Sequence, residues 1–127
     1  MQDFKNLTVW QAARRMAIST YTLTRNFPQS EEFGLKAQMR RSSVSICTNI
    51  AEGSGRRGDR EFRRFLDIAL GSAFELECEV ILSHDLAFIT EIAKERTLAD
   101  VSEIRRMLLG LIGYLGTPEL EDARNSR

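Results

Sequence analysis

Apolar residues return every three or four positions in four separate runs, and no run alternates apolar with polar residues for long enough to make a strand. A period near 3.6 collects such residues on one side of an α-helix. The first run predicts a helix over about 7–25. Val9, Ala13, Met16, Thr20, Leu23 and Phe27 form its main stripe, with Leu7, Trp10, Ala17 and Tyr21 in a second stripe beside it. Phe27-Pro28 should end it, because the residue before a proline avoids the helical region. A second helix is expected over about 30–52, with Ser30 as N-cap and Glu31 and Glu32 in the anion-favouring first turn. Its inward face is Leu35, Met39, Ile46 and Ile50, with Val44, Cys47 and Ala51 alongside, and Gly53 is the expected left-handed C-cap. A third helix, about 59–87, should be capped by Asp59 and show Phe62, Leu66, Ala69, Ala73, Leu76 and Val80 to the core. At ~1.5 Å per residue it would be about 42 Å long. The fourth, about 90–115, has Thr90 as its cap, a break expected near Thr97, and a heptad stripe of Val101, Ile104, Leu108, Leu111 and Leu115. Gly110, Gly113 and Gly116 weaken it by propensity, and their spacing points to another backbone approaching there. A polar tail, 117–127, contains Pro118.

Four helices with short connections imply an all-α fold: an antiparallel up-down-up-down four-helix bundle, in a single domain over 1–127. The length of 127 residues suits one domain, and 43% hydrophobic residues suffice for a core. The apolar positions of the first three helices exceed one narrow seam, which favours oligomerisation. Cys47 and Cys78 lie too far apart for a metal or redox motif, and both read as small hydrophobes in a reducing compartment. The N-terminus lacks the apolar core of a secretory signal, and no stretch approaches the ~18 apolar residues of a membrane span. The expectation is a cytoplasmic protein with no membrane partner.

Charge changes this picture. The 18 basic and 18 acidic side chains cancel, which argues against a generic polycation. By position they separate: residues 1–66 hold 12 basic and 6 acidic groups, residues 67–127 the reverse. Fifteen of the cations are Arg, whose planar fork matches phosphate and carboxylate and stacks on flat rings. Arg40 and Arg41 fall in the second helix, Arg56 and Arg57 in the loop after it, and Arg60, Arg63 and Arg64 at the start of the third. Arg residues at a helix start oppose the helix dipole, so local stability does not explain them. Two readings stay open: a surface for a polyanion, or cations that pair with acidic groups of a neighbouring subunit.

No catalytic constellation accompanies them. The sole histidine, His84, has Ile81 three residues before it, so the Glu-x-x-His motif of bundle di-iron sites is missing. Ser42, Ser43, Ser45 and Thr48 have no histidine near in sequence, and Gly53-Ser54-Gly55 follows a helix and lacks the lysine of a phosphate loop. The chain is therefore expected to be no enzyme and to need no metal or cofactor. Asn49, among apolar residues in Asn49-Ile50-Ala51-Glu52-Gly53, reads as part of a hydrogen-bond network at the helix end.

A run of motifs in order makes the chain recognisable: Leu7-Thr8-Val9-Trp10-Gln11, Phe27-Pro28 with Glu31, Gly34-Leu35, and Gln38-Met39-Arg40-Arg41. Then come Ser45-Ile46, Asn49 through Gly53, Glu61-Phe62, Phe65-Leu66, Ile68-Ala69, Gly71-Ser72 and Glu75-Leu76-Glu77. Over nearly its whole length the chain resembles the four-helix-bundle family of the 23S rRNA intervening sequence protein, also called the S23 ribosomal protein family. Trp10, Pro28, Asn49, Glu52, Gly53, Gly71 and Ser72 are the signature positions. The resemblance implies a ring-forming homo-oligomer, a homopentamer, of unknown function and with no assigned catalytic residues. Accessory variability proteins of diversity-generating retroelements look similar, and as basic pentameric barrels they bind nucleic acid and a reverse transcriptase. The resemblance matches Arg40 and Arg41 to the family's basic pair and makes the positions around Arg56 and Arg57 commonly basic; with the basic first half and its Arg bias, the expected function is binding of RNA or a nucleoprotein partner through Arg40, Arg41, Arg56, Arg57, Arg60, Arg63 and Arg64. The alternative is a protein–protein assembly module with no nucleic-acid ligand.

Overall fold

A computed structural model describes residues 3–116. Four helices dominate it: α1 (Thr8–Thr24), α2 (Leu35–Ser54), α3 (Asp59–Asp85) and α4 (Glu91–Leu115), and the described residues contain no strand. The predicted stripes are the core. Val9, Ala13 and Met16 of α1 join Met39, Ile46 and Ile50 of α2. All six predicted positions of α3 are buried with them, as are Val101, Ile104, Leu108 and Leu115 of α4. Each helix packs on two others, α1 on α2 and α4, and α3 on α2 and α4, so one apolar centre serves all four. Phe27 and Phe88, with ring centroids 5.4 Å apart, bring the α1–α2 and α3–α4 connections together.

The ends differ from expectation in four places. First, α2 begins at Leu35, not at Ser30. Pro28 is extended (φ −54°, ψ 144°) and Gln29–Glu31 form only a 3-10 turn. The Glu31 carboxylate then accepts the Leu35 N–H at 2.9 Å and takes the capping role assigned to the Ser30 hydroxyl. Gly34 leaves room for it, since a Cβ there would stand 2.7 Å from the same oxygen. Second, Gly53 is not a left-handed cap. It lies buried inside α2, and the left-handed glycine is Gly58 (φ 85°), so that Asp59 falls in the first turn of α3.

Third, α3 stops at Asp85. Ala87 adopts φ 63°, its N–H donates to His84 O, and the Phe88 N–H donates to Ser83 O, which closes the helix by a Schellman arrangement. Fourth, no break occurs at Thr97: its hydroxyl donates to Ala93 O at 2.8 Å, within a continuous α4. Thr90 does cap that helix, accepting from Ala93 N at 3.1 Å. Gly116 (φ 84°) ends it, and the tail 117–127 with Pro118 lies outside the described residues. A Cβ on Gly110 or Gly113 would meet nothing within 4 Å, so the close backbone approach expected there is not made within the chain.

Candidate nucleic-acid interface

The seven arginines do not form one surface. Arg40 is half-buried and fastens α2 to the last turn of α1. Its Nε donates to Thr24 Oγ1 at 2.9 Å, its Nη2 to Tyr21 O at 3.2 Å, and its guanidinium lies 4.3 Å from the Tyr21 ring centroid. Arg41, the next residue, is exposed and donates to Gln38 Oε1 at 3.3 Å. Arg56 and Arg64 lie 5.1 and 4.5 Å from the same ring, Phe65. Arg56 pairs with Glu52 one turn back, and Arg64 with Glu61 at 2.9 Å. The Arg64 guanidinium holds the Glu61 carboxyl below the ordinary carboxylate range, by hydrogen bond first and charge second. Arg57 and Arg60 are exposed around the loop.

Arg63 is a correction. It is only 5% exposed and donates through Nη1 to the carbonyl of Leu115 at 2.8 Å, binding the end of α4 to the start of α3. A cation at the negative end of a helix is favourable, and a buried carbonyl needs a donor. An Arg one turn from the exposed Arg60 and next to the exposed Arg64 gave no sequence signal for this, because its partner is 52 residues away.

The reading by motif also passed over part of the basic surface. Trp10, Arg14, Ile18, Tyr21 and Arg25 recur along the outer side of α1 at helical spacing. Ile18 is 60% and Tyr21 44% exposed, and the Arg14 guanidinium lies 5.8 Å from the Trp10 ring centroid. The signal that would have found this face is compositional: the 17 residues of α1 include no Asp or Glu. In α2 the single acid is Glu52, already paired.

The surface of α3 and α4 is acidic and apolar, and Glu79 lies where it meets α2. Glu79 is half-buried, with Oε1 finding no hydrogen-bond partner among the described residues. Burial pushes its carboxyl up, and Glu75 adds to this, while a Ser42 hydrogen bond and Arg41 oppose it. Glu77 lies 3.3 Å from Arg105, whose guanidinium is 4.8 Å from the Phe74 ring centroid. His84 meets Glu91 at 2.8 Å across the α3–α4 corner. Among the described residues no three His, Cys, Asp or Glu side chains gather where a metal ion could be held, and no helix is long and apolar enough to cross a membrane.

Residues 5–110 match the sequence profile of the 23S rRNA-intervening sequence protein. The chain belongs to that family. A crystal structure of a protein with unknown function, from the S23 ribosomal protein family of Bacteroides thetaiotaomicron VPI-5482, has a similar fold. It is 29% identical, with a TM-score of 0.75, and the match covers 83% of this chain and 98% of that one. No curated protein matches the chain.

The intervening-sequence family positions have structural tasks here. Gly53 sits where α2 touches α3: a Cβ would come 2.7 Å from Phe65 Cβ and 3.0 Å from Phe62 Cδ1. Asn49 donates to Ser45 O at 2.9 Å and Ser45 Oγ at 3.0 Å, and Ser45 Oγ is 2.8 Å from Ser72 Oγ. The expected network thus runs from one helix to the next, at mid-helix and not at its end. Trp10 packs edge-on to Phe4 with centroids 4.9 Å apart, Pro28 starts the 3-10 turn that leads into α2, and Glu52 holds Arg56. Gly71 is exposed on α3, with open space where its Cβ would be.

Proposed function

We propose that this chain is a non-catalytic, homo-oligomeric member of the intervening-sequence family that binds RNA or an RNA-containing partner through its basic side. The observation that carries the reading is the sorting of charge by helix. With no acid in α1 and one paired acid in α2, the exposed cations Arg14, Arg15 and Arg41 have no opposing carboxylate within their own helices. Arg41, Arg57 and Arg60 extend that basic surface towards the loop. Arg contacts to phosphate release counterions, so binding should weaken steeply with salt.

The antiparallel up-down-up-down order is supported by register. Gly53 meets Phe65, Ser45 meets Ser72, and Met39 meets Ser83, so α3 residues rise as α2 residues fall. Self-assembly is supported by the other side of the molecule. Phe74 (51% exposed) and Ile81 (41%) follow Gly71 along one outer strip of α3, and on α4 Leu109 (56%) is exposed while Gly110 and Gly113 also face open space. A mid-helix glycine costs ~1 kcal/mol against alanine, which a close neighbouring backbone would justify. The homopentameric ring implied by the resemblance would use this side.

The test is a solution mass measurement together with the absorbance ratio at 260 and 280 nm. A mass five times the 14.5 kDa chain with retained nucleic acid is expected. A monomer, or an assembly that takes up no RNA at low salt, overturns the corresponding half of the reading.

A further inference from the structure

We infer that the outer face of α1, continued into its groove against α2, is a binding site for single-stranded RNA, in which bases stack on Trp10 and Tyr21 and phosphates meet Arg14, Arg25 and Arg41. This deepens the RNA-binding reading above and rests on it. It also relocates the site, from the α2–α3 loop to a helical groove.

Two clefts mark the place. One, of about 470 Å³, lies along Trp10, Arg14 and Ile18. The other, of about 400 Å³, lies between Tyr21 on α1 and Arg41, Val44 and Thr48 on α2. Ile18 and Tyr21 are one turn apart, so the clefts follow each other along one stripe. From Trp10 to Tyr21 the helix advances about 16 Å, enough for several nucleotides at ~3.4 Å per stacked base.

The chemistry of the groove is selective. A purely apolar groove would suit another protein, and a purely cationic one any polyanion. Here rings and guanidinia alternate, and a guanidinium already lies over one face of each aromatic ring, Arg14 at 5.8 Å and Arg40 at 4.3 Å from the centroids. Arg40 is held in place by Thr24 and the Tyr21 carbonyl, which pre-orders the Tyr21 end of the groove. Aromatic platforms flanked by cations bind single strands with little sequence preference, because every base has a flat face. A duplex hides those faces. Two carboxylates reach the cations of this groove: Glu32, near Arg40, is engaged by Lys36 at 2.9 Å, and Glu79, near Arg41, is half-buried on α3 with its carboxyl pushed up.

Trp10 is the only tryptophan, so its emission reports on this groove alone. A short single-stranded oligonucleotide titrated into the full chain should quench that emission and raise the anisotropy of a labelled strand in parallel. Arg14→Glu and Arg41→Glu, both at exposed positions, should each weaken binding about tenfold or more at low salt. Arg57→Glu should change it much less. Several outcomes overturn the assignment. If Arg57→Glu abolishes binding and the groove variants do not, the basic side binds RNA but not in this groove. If the strand binds without quenching Trp10, or a duplex of the same sequence binds equally well, base stacking here is wrong. If the wild-type chain binds no RNA at low salt, the broader reading falls as well.

Discussion

Gly53 shows how one missing side chain sets the distance between two helices. The Phe65 Cβ would be 2.7 Å from an added methyl, and that atom is anchored to the backbone of α3, so it cannot swing away. Gly53→Ala should therefore force α2 and α3 apart despite the better helix propensity of alanine. The expected loss is ~1–3 kcal/mol, read as a lowered midpoint in urea with unchanged slope. Glu79 makes a different prediction. Its carboxyl is pushed up in the folded chain, chiefly by burial, so ionising it costs more in the folded than in the unfolded state. The penalty is absent while both states are protonated, below the ordinary carboxylate range. It grows as pH rises through that range and is complete above the raised folded value. Glu79→Gln should accordingly be more stable than wild type at pH 7, with the difference closing towards pH 4 in melts across that interval. An equal difference at both pH values would contradict this account.

At the scale of helices, the stripes were legible and the ends were not, for a physical reason. Burial imposes a period on many residues at once, so Phe62, Leu66, Ala69, Ala73, Leu76 and Val80 reinforce one another and mark α3 unmistakably. A helix end depends on one or two local bonds, and several residues compete to make them. Before α2, Ser30 and Glu31 both offer oxygen acceptors, and the extended Pro28 followed by a 3-10 turn decides for Glu31. Glu31→Ala should then cost ~0.5–2 kcal/mol, the range of a lost cap, while Ser30→Ala should be nearly neutral. Thermal melts of the two variants separate them, and the opposite order would restore Ser30 as the cap. The arginines divide in the same way. That Arg was abundant near the loop could be read from the sequence. That Arg63 points inward to Leu115 O could not, since it depends on where α4 ends in space. Trp10 and Tyr21 are legible in spacing as part of an apolar stripe with Leu7 and Ala17, but that pattern does not bring in Arg14 and Ile18, because half-exposed aromatics look like core until the neighbouring helix is placed.

At the scale of the whole molecule, the net charge of zero resolves into two unlike sides. The α1–α2 side is basic with interleaved rings, and the α3–α4 side exposes Phe74 and Ile81 along the Gly71 strip of α3 and Leu109 on α4. If neighbouring chains were held by pairing the basic side of one with the acidic groups of the next, salt would dissolve the assembly and RNA would compete with it. If they are joined through the apolar strip, salt screens the RNA contacts and leaves the assembly intact, because apolar burial does not depend on screening. The second behaviour is expected here. Raising salt should release RNA while the sedimenting mass stays constant. Phe74→Glu, at a 51% exposed position where the isolated chain tolerates a charge, should reduce that mass to a single chain with its helical circular dichroism retained. Gly71→Ala should stabilise the dissociated chain by up to ~1 kcal/mol, since its Cβ meets nothing there, and yet weaken the assembly. An assembly that falls apart in high salt, or one indifferent to both substitutions, would place the contact on the charged side instead.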